Sequence, residues 1–277
     1  MSNQKNANIN FAASIKRIAL LARKEFIESR KAILIASATV TGVYLVVSIL
    51  NTAFGNAESY SHVSNFLTIL VLGGLISSSL AFSDLHSKGK NINWIMTPAS
   101  QMEKYITNLL STTLGIVVYI LVVYFLFSLV SHLINLVAFG RSFGLFNPFQ
   151  KPVWRGILVY LVVQPTFLFG AIYFRSLHFL KTLLSLIILG IILSLLSGII
   201  LRLVFADYFI GLSFRLKPEI EYLFSSSNNL SLQFETLFQA YLKPLEIAGK
   251  IVTALIAPFF WIVGYIRLTE TEVRNGV

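Results

Sequence analysis

Cysteine is absent from the 277 residues, and charged side chains make up only 12% of them. The first absence excludes disulfides, thiolate metal sites, iron–sulfur clusters and a cysteine nucleophile. The second is about half the charged share of a soluble domain. Hydrophobic residues reach 56%, and the mean hydropathy is +0.75. A water-facing surface cannot be built from so little charge. Catalytic patterns are missing as well. Gly249-Lys250 is followed by Ile251 and lacks the first glycine of a phosphate loop, so ATP cannot be bound by that route. His62, His86, His132 and His178 are scattered, with no H-E-x-x-H and no paired carboxylates to hold zinc or iron. Ser197-Gly198 lacks the glycine two positions before the serine that an intramembrane serine protease loop carries. Chains of carboxylates inside apolar runs, the mark of proton-driven transport, are missing too.

What is present is a series of long uncharged runs. Counted against the ~20 apolar residues that cross ~30 Å of hydrocarbon, they predict spans at 32–50, 63–82, 109–137, 156–174, 182–201 and 251–266. The third run is uncharged from Tyr105 to Gly140, so its helix must tilt or project from the bilayer. Lys250 and Arg267 stand at the two ends of the last span, placed to snorkel. The runs do not alternate as barrel strands do. The expectation is an all-α integral membrane protein with six transmembrane helices in a single domain, residues 1–277. The net charge is +10, yet the basic residues do not cluster as on a nucleic-acid binder. With the N-terminus inside, 14 of the 22 Lys and Arg fall on inner segments. Both termini are therefore expected in the cytoplasm, with the chain a multi-pass protein of the inner membrane. About thirty residues precede the first run, so it is expected to be a span and not a signal peptide.

Three segments outside these runs are patterned. Over 8–31, Phe11, Ile15, Ile18, Ala22 and Phe26 recur at helical steps among basic residues. They predict an amphipathic helix able to lie on anionic membrane lipids before turning into the first span. In the loop 82–105, Ser100 followed by Glu103 forms a capping box two residues after Pro98, which places a helix start at Ser100 running into the third span. Trp94, Ile95 and Met96 form an apolar cluster there, suggesting a covered surface. Asp84 and His86 have the composition of an acid–base pair, but a lone Asp-x-His at a membrane edge is the pattern of a solvated loop. Residues 203–250, placed outside, are too long and apolar for an ordinary connection. Phe234, Phe238, Tyr241 and Leu245 at helical steps, broken by Pro218 and Pro244, predict amphipathic or re-entrant extracytoplasmic helices, or a small cap packed on itself. In the fourth span, Gln164-Pro165 predicts a kink, with Gln164 meeting a freed backbone group or a partner.

Three stretches carry a resemblance. LARKEFIESRKA before the first span, WIMTPASQMEKYITNLL before the third and WIVGYIRLTETEV at the last resemble the type-2 ABC exporter permease family, in a Bacteroidetes-like branch. Thr269 and Thr271 stand around Glu270 where that branch more usually has Lys. The resemblance implies a permease subunit that forms a translocation path with a second permease subunit, identical or related. It also implies that a separate ABC-type ATPase subunit holds ATP and Mg, with no cofactor and no enzymatic activity on this chain itself. It further implies an ATPase-coupling surface made of Arg23, Lys24, Glu25 and Glu28 with the loop residues Asp84, His86, Trp94, Ile95, Met96, Ser100, Glu103 and Lys104. The cargo is not fixed by it. A non-transporting scaffold, sensor or immunity subunit would use the same architecture, because fold does not fix function.

Overall fold

The computed structural model of the chain describes residues 2–54, 61–87, 92, 94, 96–140, 144–199 and 230–275. Among the described residues all regular structure is helical: α1 (Ser2–Phe54), α2 (His62–Leu80), the single turn α3 (Ser83–His86), α4 (Gln101–Phe139), α5 (Lys151–Tyr173), α6 (His178–Ile199) and α7 (Leu230–Asn275). Six of these carry segments long and apolar enough to cross a membrane. The chain is an all-α polytopic membrane protein, and each expected span overlaps one of the six, the first and third of which begin well before the residues expected.

Two expectations about where helices turn are corrected. Residues 8–31 do not form a separate helix ahead of the first span, because α1 is one continuous helix. No glycine or proline lies between 8 and 41, so nothing in the sequence interrupts it. Likewise α7 continues through Pro244. A proline removes one backbone bond, which a long helix can absorb. The side chains of Phe234, Phe238, Tyr241 and Leu245, and the whole of 203–229 with Pro218, lie outside the described residues.

Two compact units divide the chain, residues 1–179 with 257–277 and residues 180–256. In the second, α6 exposes Ile187, Ile191 and Leu195, an apolar surface suited to lipid. In the first, α2 and α5 pack against each other most extensively. A Cβ on Gly74 would overlap the Tyr160 ring, and one on Gly156 would overlap Leu67. Small residues at these positions let the backbones approach. α4 buries Val117, Ile120, Tyr124, Phe127, Ser131 and Asn135, spaced by three and four as one helical face demands. Ser48 of α1 lies 2.7 Å from the Ser131 hydroxyl, and the Asn135 amide donates to Ser48 at 3.2 Å. These hydroxyls and the amide tie α1 to α4 where apolar packing alone gives no driving force. α4 ends at Gly140, whose φ of 61° is the left-handed cap that glycine accepts without strain.

α4 is not uniform. Residues 111–115 form a π-turn between two α-helical stretches. The Ile116 N–H, which in an α-helix would bond Thr112, reaches back to the Ser111 carbonyl. The Thr112 carbonyl instead accepts the Tyr160 hydroxyl at 2.6 Å, and the Thr112 hydroxyl accepts the Gln164 amide at 2.9 Å. Gln164 thus meets a partner helix, as expected, while α5 runs unbroken through Pro165. At 39 residues, α4 is about 58 Å long at 1.5 Å per residue. It therefore projects well beyond ~30 Å of hydrocarbon.

Candidate functional site

The start of α4 is where the sequence concentrates its local pattern, and the capping box forms there as read. Ser100 is extended (φ −67°, ψ 155°), and its hydroxyl accepts the Glu103 N–H at 3.2 Å. The Ser100 N–H donates back to one Glu103 carboxylate oxygen at 2.9 Å. The reciprocal pair satisfies amides that no intrahelical carbonyl can reach. Sequence reasoning did not anticipate the second role of Glu103. Its other oxygen accepts the Ser14 hydroxyl at 2.7 Å, with the Arg17 guanidinium at 3.7 Å. One buried carboxylate therefore caps α4 and also fastens it to α1. The Arg17 side chain is more than half exposed, so that ion pair adds little to the Ser14 bond.

Lys104 turns the other way. It is buried, and its ammonium donates to the Trp94 carbonyl at 2.8 Å while standing 5.5 Å from the centroid of the same indole. These contacts replace the water that a buried ammonium loses. The Trp94 ring meets Phe82 edge-on at 5.9 Å, and Phe82 stacks on Tyr105. Behind them Leu85, Leu168, Ala171, Ile172 and Leu268 close an apolar cluster. The Tyr105 hydroxyl donates to the Trp261 carbonyl at 2.8 Å, which joins α4 to the last part of α7.

This geometry changes the reading of the apolar cluster in the loop. Trp94 is half-buried and packs on Phe82 and Lys104 of its own chain. Met96 is 76% exposed, and Ile92 and Met102 are exposed as well. Ile95 lies outside the described residues. His86 is likewise no solvated loop residue: its Nε2 lies 3.2 Å from the carbonyls of both Ala171 and Ile172, a position only an N–H donor satisfies. Its ring stacks on His178 at 5.4 Å. It pins α3 to the end of α5. Asp84 is half-buried and within electrostatic reach of Glu25 on α1. Arg23, Lys24 and Glu28 are exposed, and Lys24 lies 3.9 Å from Glu28 one turn along.

The candidate surface is thus divided. Glu103, Lys104, His86 and Trp94 hold the end of the bundle together, whereas Met96, Arg23, Lys24 and Glu28 face outward. Ser14 carried no signal of its own, because a serine in a basic helix is unremarkable in sequence. Among the described residues no three His, Asp or Glu side chains gather to hold a metal ion. No known protein family, curated protein or solved structure matches the chain.

Proposed function

We propose that the chain is the membrane-spanning permease subunit of an ATP-driven ABC exporter, paired with a second permease subunit and driven by a separate ATPase subunit that holds ATP and Mg. It would sit in the inner membrane with both termini in the cytoplasm. One observation carries the reading: the third span begins outside the apolar region as a capped, buried turn, fastened to α1 through Glu103 and Ser14, with Met96 and Met102 exposed beside it. A force applied at that end reaches the span through a helix whose first turn does not fray. A transporter with no phosphate loop and no carboxylate relay would need such a receiving surface, since its energy would come from another subunit.

In this reading the ATPase docks on the outward residues, Met96 and Met102 with Arg23, Lys24 and Glu28. Closure of the ATP-loaded subunits moves the capped turn as a rigid body, and α1 follows. The π-turn at 111–115 is the first place along α4 where the rod can yield. The test is co-purification of the full chain from its own cells, followed by mass spectrometry and an ATPase assay. A partner with a phosphate loop is expected, its hydrolysis stimulated by the wild-type chain and reduced by Met96→Asp. An exposed methionine can change without unfolding the bundle, whereas an apolar anchor lost from an interface commonly costs ~2 kcal/mol or more. A wild-type chain that brings down no ATP-binding partner would instead support a scaffold, sensor or immunity role.

A further inference from the structure

The last apolar turn of α7 and the end of α5 enclose a groove of about 290 Å³ lined by Phe169, Tyr173, Val263, Ile266, Arg267 and Glu270. Its walls are apolar and its mouth carries one charge of each sign. Arg267 lies over the Tyr173 ring, 5.3 Å from the centroid, and donates to Glu270 at 2.7 Å. The Arg267 Nε–H is buried and finds no acceptor among the described residues. Both charged side chains remain partly exposed at the mouth. Along α7 from the groove, Phe259, Ile262 and Ile266 form an exposed apolar track at steps of three and four.

We propose that this groove binds one zwitterionic glycerophospholipid of the phosphoethanolamine type, with the phosphate on Arg267 and the ammonium on Glu270. Three properties select that occupant. The guanidinium is a fork of donors suited to phosphate oxygens. The neighbouring carboxylate repels a headgroup that is only anionic and attracts one that carries its own primary ammonium. The groove is open and of about 290 Å³, room for a headgroup, while the acyl chains run outside along Phe259 and Ile262. Arg267 stands directly after the apolar run 251–266, the depth at which headgroup phosphates lie. The Tyr173 ring gives the cation a wall that water does not compete for. This site does not depend on the chain being a transporter.

The full-length chain, purified in mild detergent and stripped of lipid, would be offered equal amounts of phosphatidylethanolamine, phosphatidylglycerol and phosphatidylcholine with matched acyl chains. Native mass spectrometry would count what is retained. Retention of phosphatidylethanolamine over the other two by about tenfold is expected from one charge-assisted contact at each end. Glu270→Gln, a change at a partly exposed side chain that leaves the fold intact, should abolish the preference over phosphatidylglycerol. Arg267→Gln should lower retention of all three, and Arg267→Lys should restore part of it. Equal retention of the three headgroups by the wild-type chain would overturn the proposal. So would a phosphatidylethanolamine preference that survives Glu270→Gln, or displacement of the lipid by an equal concentration of free phosphoethanolamine.

Discussion

Replacing Ser100 and Glu103 together by alanine removes three hydrogen bonds at once, besides the weak ion pair with Arg17. The Ser100 hydroxyl no longer accepts the Glu103 N–H, the Ser100 N–H loses its carboxylate, and the Ser14 hydroxyl on α1 loses its acceptor. A lost serine cap costs about 1 kcal/mol, and a hydrogen bond to a charged, buried partner costs about 1.5–3 kcal/mol. Because the contacts share one carboxylate they do not add fully, so a local loss of about 2–3 kcal/mol is expected. The apolar cluster of Phe82, Tyr105 and Leu268 is untouched, so the bundle should stay folded and the effect should remain within the first turn of α4. Hydrogen exchange followed by mass spectrometry reads this directly. At tenfold per 1.4 kcal/mol, amides 101–105 should exchange on the order of thirty- to a hundredfold faster, while peptides from 116–139 keep wild-type rates. Ser100→Asp with Glu103→Gln is the control. Glutamine keeps one acceptor oxygen, and the Ser14 hydroxyl can rotate to accept from the new amide. Unchanged exchange in the double alanine variant would refute the capped and fastened turn. Equal acceleration in the control would refute the chemistry assigned to it.

Two further outcomes follow from geometry already described. Gly74→Val places a side chain where the Tyr160 ring lies and should cost about 1–3 kcal/mol by overpacking, visible as a lower unfolding midpoint in detergent; Gly42→Ala, with nothing within 4 Å, should leave the midpoint unchanged or slightly raised. For topology, single cysteines at Ser61 and Ser87 lie at opposite ends of the segment formed by α2 and α3, in a chain with no native thiol; an impermeant reagent applied to intact cells should label the first and spare the second, and the reverse pattern would invert the orientation inferred from the basic residues.

The parts legible in the sequence were those set by local rules. Span number follows from length against bilayer thickness, and the Ser100–Glu103 box follows from a four-residue spacing whose two hydrogen bonds are both local. What stayed hidden depends on distant partners. Trp94 reads only as part of an apolar loop cluster until Phe82 and Lys104 are known to pack against it, and His86 reads as a loop residue until the carbonyls of Ala171 and Ile172 are brought to its ring. The π-turn is hidden for the same reason. Thr112 and Thr113 in an apolar run hint at something polar, but the displaced carbonyl is stabilised by Tyr160, 48 residues away. The continuity of α1 through its first forty residues was legible from the lack of glycine and proline between 8 and 41, but amphipathicity over 8–31 drew attention to a surface role and away from that simpler fact.

The hydrogen bonds between α4 and α5 also constrain how the protein is made. α5 is the least apolar of the six spans, with a mean hydropathy of 1.7 against 2.6 for α4, and it carries Tyr160 and Gln164 into hydrocarbon, where an unsatisfied polar group costs several kcal/mol. Their partners, Thr112 and the Ser78 hydroxyl 3.4 Å from Tyr160, precede them in the chain. During vectorial synthesis the acceptors are therefore already in the bilayer when the donors leave the insertion machinery, and a reluctant helix is received by neighbours that accept its Tyr160 hydroxyl and its Gln164 amide N–H. The gene order of the spans acts as an assembly sequence. A circular permutation that inserted α5 first would present Tyr160 and Gln164 to lipid alone, and would lose yield at insertion even though every contact of the finished protein had been kept.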